Sequence, residues 1–197
     1  IVAGWPVLAA WTDDCLAVEA GAWRGLGHRR LVDAAGPALL SDPHAWLEQP
    51  GAEVLRRGRT ILARVPWPGE PARPLFLKIA PVRGVVGAVQ SGWRESKARR
   101  AWVKAVVILS RGFAVPRPLL ALDNRRGSRL TCSALWSEWV EGRPLREWLK
   151  PWRQRPRSEE ATAACHAMLA RIGEYLRRLH EAGVVHRDFG GGNVLVD

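Results

Sequence analysis

Five short segments with strand-like composition are interrupted once, between the third and the fourth, by a single helical stretch. The first two segments reverse at Gly58, which predicts a β-hairpin. The helical stretch carries a periodic apolar stripe, and we expect Ser91 to cap its start and Gly112 to end it. A turn is predicted at Asp123-Asn124, between the last two strands. The strand segments are residues 54–57, 60–65, 75–80, 119–122 and 130–136. This order predicts an α+β fold with a five-stranded antiparallel sheet and one helix.

The last third of the chain has a helical pattern. A short helix is expected at residues 144–149, after a linker at 138–142. Ser158 then opens a long helix, with two Glu residues in its positive first turn, and Gly183 supplies the stop. The predicted buried face of this helix consists of Cys165, Met168, Leu169, Ile172, Leu176 and Leu179.

A polar loop follows that helix and precedes the apolar run 194–196. It reads His186-Arg187-Asp188, four further residues and then Asn193, which matches the phosphoryl-transfer motif H-R-D-x-x-x-x-N. In that motif the Asp accepts the proton of the attacking hydroxyl and the Asn holds Mg²⁺. We therefore predict a catalytic loop with Asp188 as the base and Asn193 as the metal ligand. The alternative is a solvated loop in an unrelated α+β protein.

Asp188-Phe189-Gly190 also spells D-F-G, a kinase motif whose Asp binds Mg²⁺. If this were that motif, a catalytic loop would precede it along the chain. The preceding residues 163–173 have a helical pattern and contain neither Asp nor Asn. Asp188 is therefore interpreted as the base, and the metal-binding D-F-G is expected beyond residue 197.

Lys78 is one of only 4 Lys residues in a chain with 26 Arg, and it lies inside an apolar strand segment. A compact ammonium suits nucleotide phosphates as a point charge, so Lys78 is predicted to bind them. Glu95, the only acid of the first helical stretch, is predicted to lie in its first turn and to pair with Lys78. The alternatives are an outward-facing Lys78 and a surface i,i+4 pair between Glu95 and Arg99.

The phosphate loop is the weakest element, because the hairpin offers only Gly58 where a kinase loop would read G-x-G-x-x-G. Either arginine side chains and a tight backbone turn replace the glycines, or the phosphates are held loosely. In the linker, the backbone of Glu138 to Val140 is predicted to bind adenine.

Composition limits the partners only loosely. A net charge of +11 favours an anionic partner such as a membrane surface, a phosphorylated glycan or nucleic acid. An Ala- and Arg-rich composition explains the charge equally well, and no aromatic-basic motif supports nucleic-acid binding. Cys15, Cys132 and Cys165 are read as reduced buried thiols of a cytosolic protein.

Both ends of the sequence look like cut edges. It starts at Ile1 instead of Met and stops on an apolar run, so we expect a fragment that is inactive alone. The apolar residues 1–11 lack a basic leader and fall short of the roughly 20 residues of a spanning helix.

The chain resembles the protein-kinase-like superfamily and, more narrowly, the bacterial lipopolysaccharide core kinases, which phosphorylate a Kdo or heptose sugar. That resemblance implies a bilobal kinase fold. Residues 1–50 would be an N-terminal extension, 51–140 the N-terminal lobe, and 141–197 an incomplete helical C-terminal lobe that ends just after the catalytic loop. The resemblance is carried by residues 75–78, 95–102, 111–118, 138–142 and 179–188.

The resemblance also implies an activity: ATP- and Mg²⁺-dependent transfer to a hydroxyl of a lipopolysaccharide core or lipid A precursor, or of another small molecule. The resemblance implies the same roles for the site residues: ATP phosphate binding by Lys78 with Glu95 as its partner, proton acceptance by Asp188, and Mg²⁺ binding by Asn193. Eukaryotic protein kinases usually carry Lys two residues after the catalytic Asp, where this chain has Gly190, and this disfavours a protein substrate.

The implied location is cytoplasmic, at the inner face of the inner membrane. Rival readings are a protein serine/threonine kinase, an aminoglycoside-type kinase, and a truncated chain that only binds nucleotide or a partner.

Overall fold

A computed structural model describes residues 14–82, 95–151, 158–185, 190–192 and 194–196. It divides the chain into two compact units, Ile1–Trp139 and Val140–Asp197. Each unit is described by itself below.

The first unit is built on a seven-stranded antiparallel sheet with the strand order β1-β2-β6-β7-β5-β4-β3. Two helices, α1 (Arg29–Ser41) and α2 (Lys97–Ser110), accompany it, and α1 is broken at Gly36, where φ is 65°. The strands are β1 (Cys15–Ala20), β2 (Trp23–His28), β3 (Glu53–Arg57), β4 (Ile61–Trp67), β5 (Glu70–Pro81), β6 (Pro118–Arg126) and β7 (Arg129–Glu138).

One face of this sheet carries the main core. Alternate residues of β4 and β5 point into it, because side chains of a strand alternate between the two faces. Ala63, Leu77 and Ile79 have no exposed surface. The ring centroids of Trp136 of β7 and Trp46 of a 3₁₀ turn lie 5.3 Å apart, with the ring planes tilted by 54°. Residues of α1 also belong to this core, so the segment 29–48 covers the face.

The opposite face is covered in part by α2. The apolar stripe predicted for this helix is confirmed, since Ala98, Trp102 and Val106 are its buried residues. They pack with Ala121 of β6 and Leu135 of β7. This face therefore carries a smaller core beneath the helix.

The prediction of five strands is wrong, although each predicted strand is present and the helix lies between the third and the fourth. Strands β1 and β2 add to the sheet beyond β6. Their signal is weak because β2 contains Gly25 and Gly27, and Gly is depleted in strands. Gly25 is sterically required, because a Cβ there would lie 1.8 Å from the backbone oxygen of Ala121, whereas a Cβ at Gly27 would meet side-chain carbons of Val32 and Leu120.

Two predicted boundaries also differ from the structure. The cap of α2 is Ser96, whose Oγ accepts a hydrogen bond from the Arg99 N–H at 2.9 Å, whereas Ser91 lies outside the described residues. Glu95 thus precedes the helix instead of lying in its first turn. The turn predicted at Asp123-Asn124 is absent because β6 runs through both residues, and the reversal occurs after Arg126, where Gly127 has a φ of 59°.

The second unit contains α3 (Leu145–Trp148), α4 (Glu159–Glu181) and a two-stranded pair of β8 (Arg143–Pro144) and β9 (Leu195–Val196). The predicted ends of α4 are confirmed: Ser158 Oγ accepts from the Ala161 N–H, and Gly183 adopts a φ of 72° after the helix. Of the predicted buried face, Leu179 is buried and Leu169 is 45% exposed; the partly buried members are Cys165, Met168, Ile172 and Leu176.

Candidate functional site

Lys78 is an exposed residue in a strand whose neighbours on both sides, Leu77 and Ile79, are fully buried. In the sheet it lies opposite Leu62 of β4 and Leu135 of β7. Leu135 packs beneath α2, so Lys78 belongs to the α2-covered face and not to the main core. The lysine is therefore held by a rigid strand while its ammonium is accessible.

Glu95 lies just before α2 and is half-exposed. Its Oε1 is 3.2 Å from Arg99 Nη2, an i,i+4 ion pair. Within the described ranges no ion pair joins Glu95 to Lys78, so the pairing of these two residues stays a prediction. The structure instead contains the surface-type alternative.

A buried polar cluster that sequence reasoning missed lies at the start of α2. Asp123 on β6 is 5% exposed and the capping Ser96 is 1% exposed. Burial raises the pKa of Asp123, while hydrogen bonding to Ser96 and the charges of Arg125 and Arg99 oppose that rise. The sequence signal was a lone acid directly after the buried run 119–122.

The hairpin predicted around Gly58 is confirmed as β3 and β4. Gly58 is absent from the glycines with positive φ, and the nearest atom to a Cβ built there is Arg56 Nε at 4.0 Å. The turn therefore does not require glycine. The residues Arg56, Arg57 and Arg59 around it are all exposed.

The predicted adenine contacts fall at the end of β7 and in the residues that follow. The Glu138 N–H donates to the Arg117 carbonyl oxygen at 2.9 Å, so this donor is used within the protein. Trp139 contacts Phe76 at 6.5 Å between ring centroids, and Val140 is 43% exposed. Adenine binding here stays a prediction.

The residues His186, Arg187, Asp188 and Asn193 lie outside the described residues, so the geometry of the predicted base and metal ligand stays a prediction. The neighbouring residues of the loop are described.

The parts of the loop that the structure describes are bound to the start of α3. The Arg146 N–H donates to the Gly191 carbonyl oxygen and the Leu145 N–H to that of Val194, both at 2.8 Å. One step further, β8 pairs with β9 through Arg143 and Val196. The segment 143–146 thus runs antiparallel to the second half of the predicted catalytic loop. A Cβ at Gly191 would lie 3.2 Å from Arg146 N, so this glycine allows the close approach.

The observation that decides the family is a comparison with known proteins. The model of the lipopolysaccharide kinase (Kdo/WaaP) family matches residues 94–197, just over half of the chain. The chain belongs to this family. The match begins just before α2 and includes the predicted catalytic loop, and it confirms the resemblance drawn from the sequence.

Two curated relatives extend the comparison. A 3-deoxy-D-manno-octulosonic acid kinase from Vibrio parahaemolyticus is 29% identical over 107 residues, which are 54% of this chain and 41% of the relative. A probable bifunctional tRNA threonylcarbamoyladenosine biosynthesis protein from Methanothermobacter thermautotrophicus is 25% identical over 169 residues, 85% of this chain and 27% of the relative. The chain thus matches less than half the length of either relative.

The described residues lack two features. None of their helices is long and apolar enough to cross a membrane. Nor do these parts of the chain hold a group of three His, Cys, Asp or Glu residues arranged for a metal ion.

Proposed function

We propose that this chain forms the nucleotide-binding and catalytic-loop part of an ATP-dependent kinase that phosphorylates a sugar hydroxyl of the lipopolysaccharide core, on Kdo or heptose. The match of the Kdo/WaaP family model to residues 94–197 carries the proposal. The Vibrio relative named as a 3-deoxy-D-manno-octulosonic acid kinase adds support at low identity. Family membership implies ATP as the phosphate donor, typically with Mg²⁺.

In this proposal the seven-stranded unit is the N-terminal lobe of a bilobal kinase, and residues 140–197 begin the C-terminal lobe. Lys78 binds the phosphates, and Asp188 takes the proton of the acceptor hydroxyl. Asn193 would hold Mg²⁺, which neutralises the charge developing on the phosphoryl group. Catalysis then rests on positioning and electrostatics, since phosphoryl transfer needs little covalent chemistry from the protein.

The net charge of +11 suits an acceptor that is itself phosphorylated and anchored in a membrane. We place the enzyme in the cytoplasm, peripherally at the inner face of the inner membrane. Gly190 lies two residues after the predicted base, where eukaryotic protein kinases usually carry Lys, and this favours a sugar or other small-molecule acceptor.

The decisive experiment offers radiolabelled ATP and Mg²⁺ to the full-length protein with four acceptors in parallel. These are a Kdo-bearing lipid A precursor, a heptose-bearing core oligosaccharide, a generic protein substrate and an aminoglycoside. We expect label in one of the two glycans. Label in protein alone, or in the aminoglycoside alone, would contradict the glycan assignment.

Variants of the full-length enzyme test the two central residues. Asp188→Asn should abolish transfer and leave ATP binding intact, because the amide cannot accept the proton. Lys78→Ala should weaken both ATP binding and transfer. Lys104→Ala is the matched control, since it removes an exposed lysine on α2. Retained turnover in Asp188→Asn would falsify the base assignment.

A further inference from the structure

Strand β3 contains a β-bulge that changes which face its last residues occupy. Val54 lies opposite Ala63 of β4, but the next paired residue is Arg56, opposite Leu62, so Leu55 is the extra residue. Without the bulge, strict alternation would place Arg56 on the same face as Val54, towards the main core. Bulges are known to re-aim a side chain and are frequent beside active sites.

The bulge moves Arg56 onto the face of Lys78. Leu62 is opposite Arg56 on one side and opposite Lys78 on the other. The three residues therefore form one row across the sheet, and directly opposed residues project from the same face. Strands lie about 4.8 Å apart, so the backbones of Arg56 and Lys78 are roughly 10 Å apart.

Both cations are accessible. Arg56 and Lys78 are exposed, and in the described parts of the chain neither makes an ion pair. The Arg56 side chain folds towards the hairpin turn, since its Nε is the nearest atom to a Cβ built at Gly58. A guanidinium can bind phosphate oxygens through two parallel hydrogen bonds, which complements the point charge of a lysine.

We propose that Arg56 and Lys78 together bind the triphosphate of a nucleotide, with the arginine replacing the backbone cradle of a glycine-rich loop. This inference rests on the proposed kinase function and names a second residue of its nucleotide site. Gly58 supports it, because a turn with ordinary φ and a single glycine lacks the close backbone approach that glycine-rich loops provide.

The chain offers a matched control in the adjacent residue. Arg57 is also exposed but lies opposite Ile61, which packs on the main core, so it occupies the opposite face of the sheet. Arg56→Ala and Arg57→Ala remove the same charge from the same hairpin and differ only in the face. Arg56→Gln keeps much of the side chain and tests charge without truncation.

The experiment measures binding to the full-length protein by calorimetry, with ATP, adenosine and inorganic tripolyphosphate as probes. Arg56→Ala should weaken ATP and tripolyphosphate binding about 10- to 100-fold, the factor expected for a lost charge-assisted hydrogen bond. Adenosine binding should stay unchanged, which separates a phosphate contact from a base contact. Arg57→Ala should change ATP affinity less than about twofold, and melting temperatures should agree among the variants.

Equal ATP affinities of Arg56→Ala and the unaltered protein would overturn the proposal. Equal losses of ATP affinity in Arg56→Ala and Arg57→Ala would also overturn it, because they would indicate a general effect of charge. In another outcome, the unaltered protein binds tripolyphosphate and not ATP, and Arg56→Ala weakens the tripolyphosphate binding. That result would refute the kinase function and would support an anion site at Arg56. If the unaltered protein binds neither probe, both proposals fail.

Discussion

Two serines, Ser96 and Ser158, cap helices in the described part of the chain, and we expect their removal to lower the free energy of unfolding by different amounts. Ser96 accepts from the Arg99 N–H at 2.9 Å and is 1% exposed, whereas Ser158 accepts from the Ala161 N–H at 3.2 Å and is exposed. Loss of an N-cap hydrogen bond costs about 1 kcal/mol, and that term applies to both Ser→Ala variants.

Ser96→Ala carries a second cost because Ser96 also interacts with the buried Asp123. A hydrogen bond contributes about 0.5–1.5 kcal/mol net. We therefore expect Ser96→Ala to lower the free energy of unfolding by about 1.5–2.5 kcal/mol at neutral pH, against about 1 kcal/mol for Ser158→Ala. Urea denaturation followed by circular dichroism gives both values, and amide hydrogen exchange locates each effect in its helix.

The difference in cost between Ser96→Ala and Ser158→Ala should depend on pH. The pKa of Asp123 is raised in the folded protein, so between its unfolded and folded pKa values the folded state binds more protons. Stability due to this group is therefore fully present below the unfolded value and is lost as the pH rises through the folded pKa. Ser96→Ala raises that pKa further, so its cost should shrink on acidification. In Asp123→Asn the cost of Ser96→Ala should no longer vary with pH, because the amide does not titrate. Equal costs for the two serines at neutral pH, or a pH dependence that survives in Asp123→Asn, would refute this account.

Three further predictions concern single residues. Gly25→Ala should prevent cooperative folding, because its Cβ would meet a backbone oxygen at 1.8 Å, whereas Gly58→Ala should leave the melting temperature unchanged. Gly191→Ala should cost about 1–3 kcal/mol in urea denaturation through overpacking against the nitrogen of Arg146; no change would contradict the close contact. Burial raises the pKa of Cys132 to about 11, so its alkylation rate should climb steadily from pH 8 to pH 10, and a plateau in that range would contradict the assignment.

Local chemistry made much of the fold predictable from sequence. The alternation in β4 and β5, the apolar stripe of α2, and the capping of α4 by Ser158 and Gly183 all depend on neighbours close in sequence. Strand β2 was missed because its glycines serve a contact with β6, about a hundred residues away, and β1 pairs in the sheet with β2.

The candidate site was less predictable, because its contacts also join residues that are far apart in the sequence or depend on side-chain placement. Lys78 and Glu95 could be singled out by type and position, but the ion partner of Glu95 is decided by side-chain placement at the helix start. Arg56 could not be found at all, since strict alternation assigns it to the wrong face and only the bulge at Leu55 changes that. The pairing of Ser96 with Asp123 joins residues in separate elements and has no local signature.

The contact between β8 and β9 has a consequence for the order in which the protein folds. It joins Arg143 to Val196, residues separated by the whole of α4, and closing a loop of that length costs roughly 3.5 kcal/mol of chain entropy. Among the described residues, two residue pairs, the adjacent hydrogen bonds and the burial of Leu145 and Val196 offset that cost. The predicted catalytic loop should therefore be secured late in folding, after α4 has shortened the distance, and should open under mild denaturant before the seven-stranded sheet does.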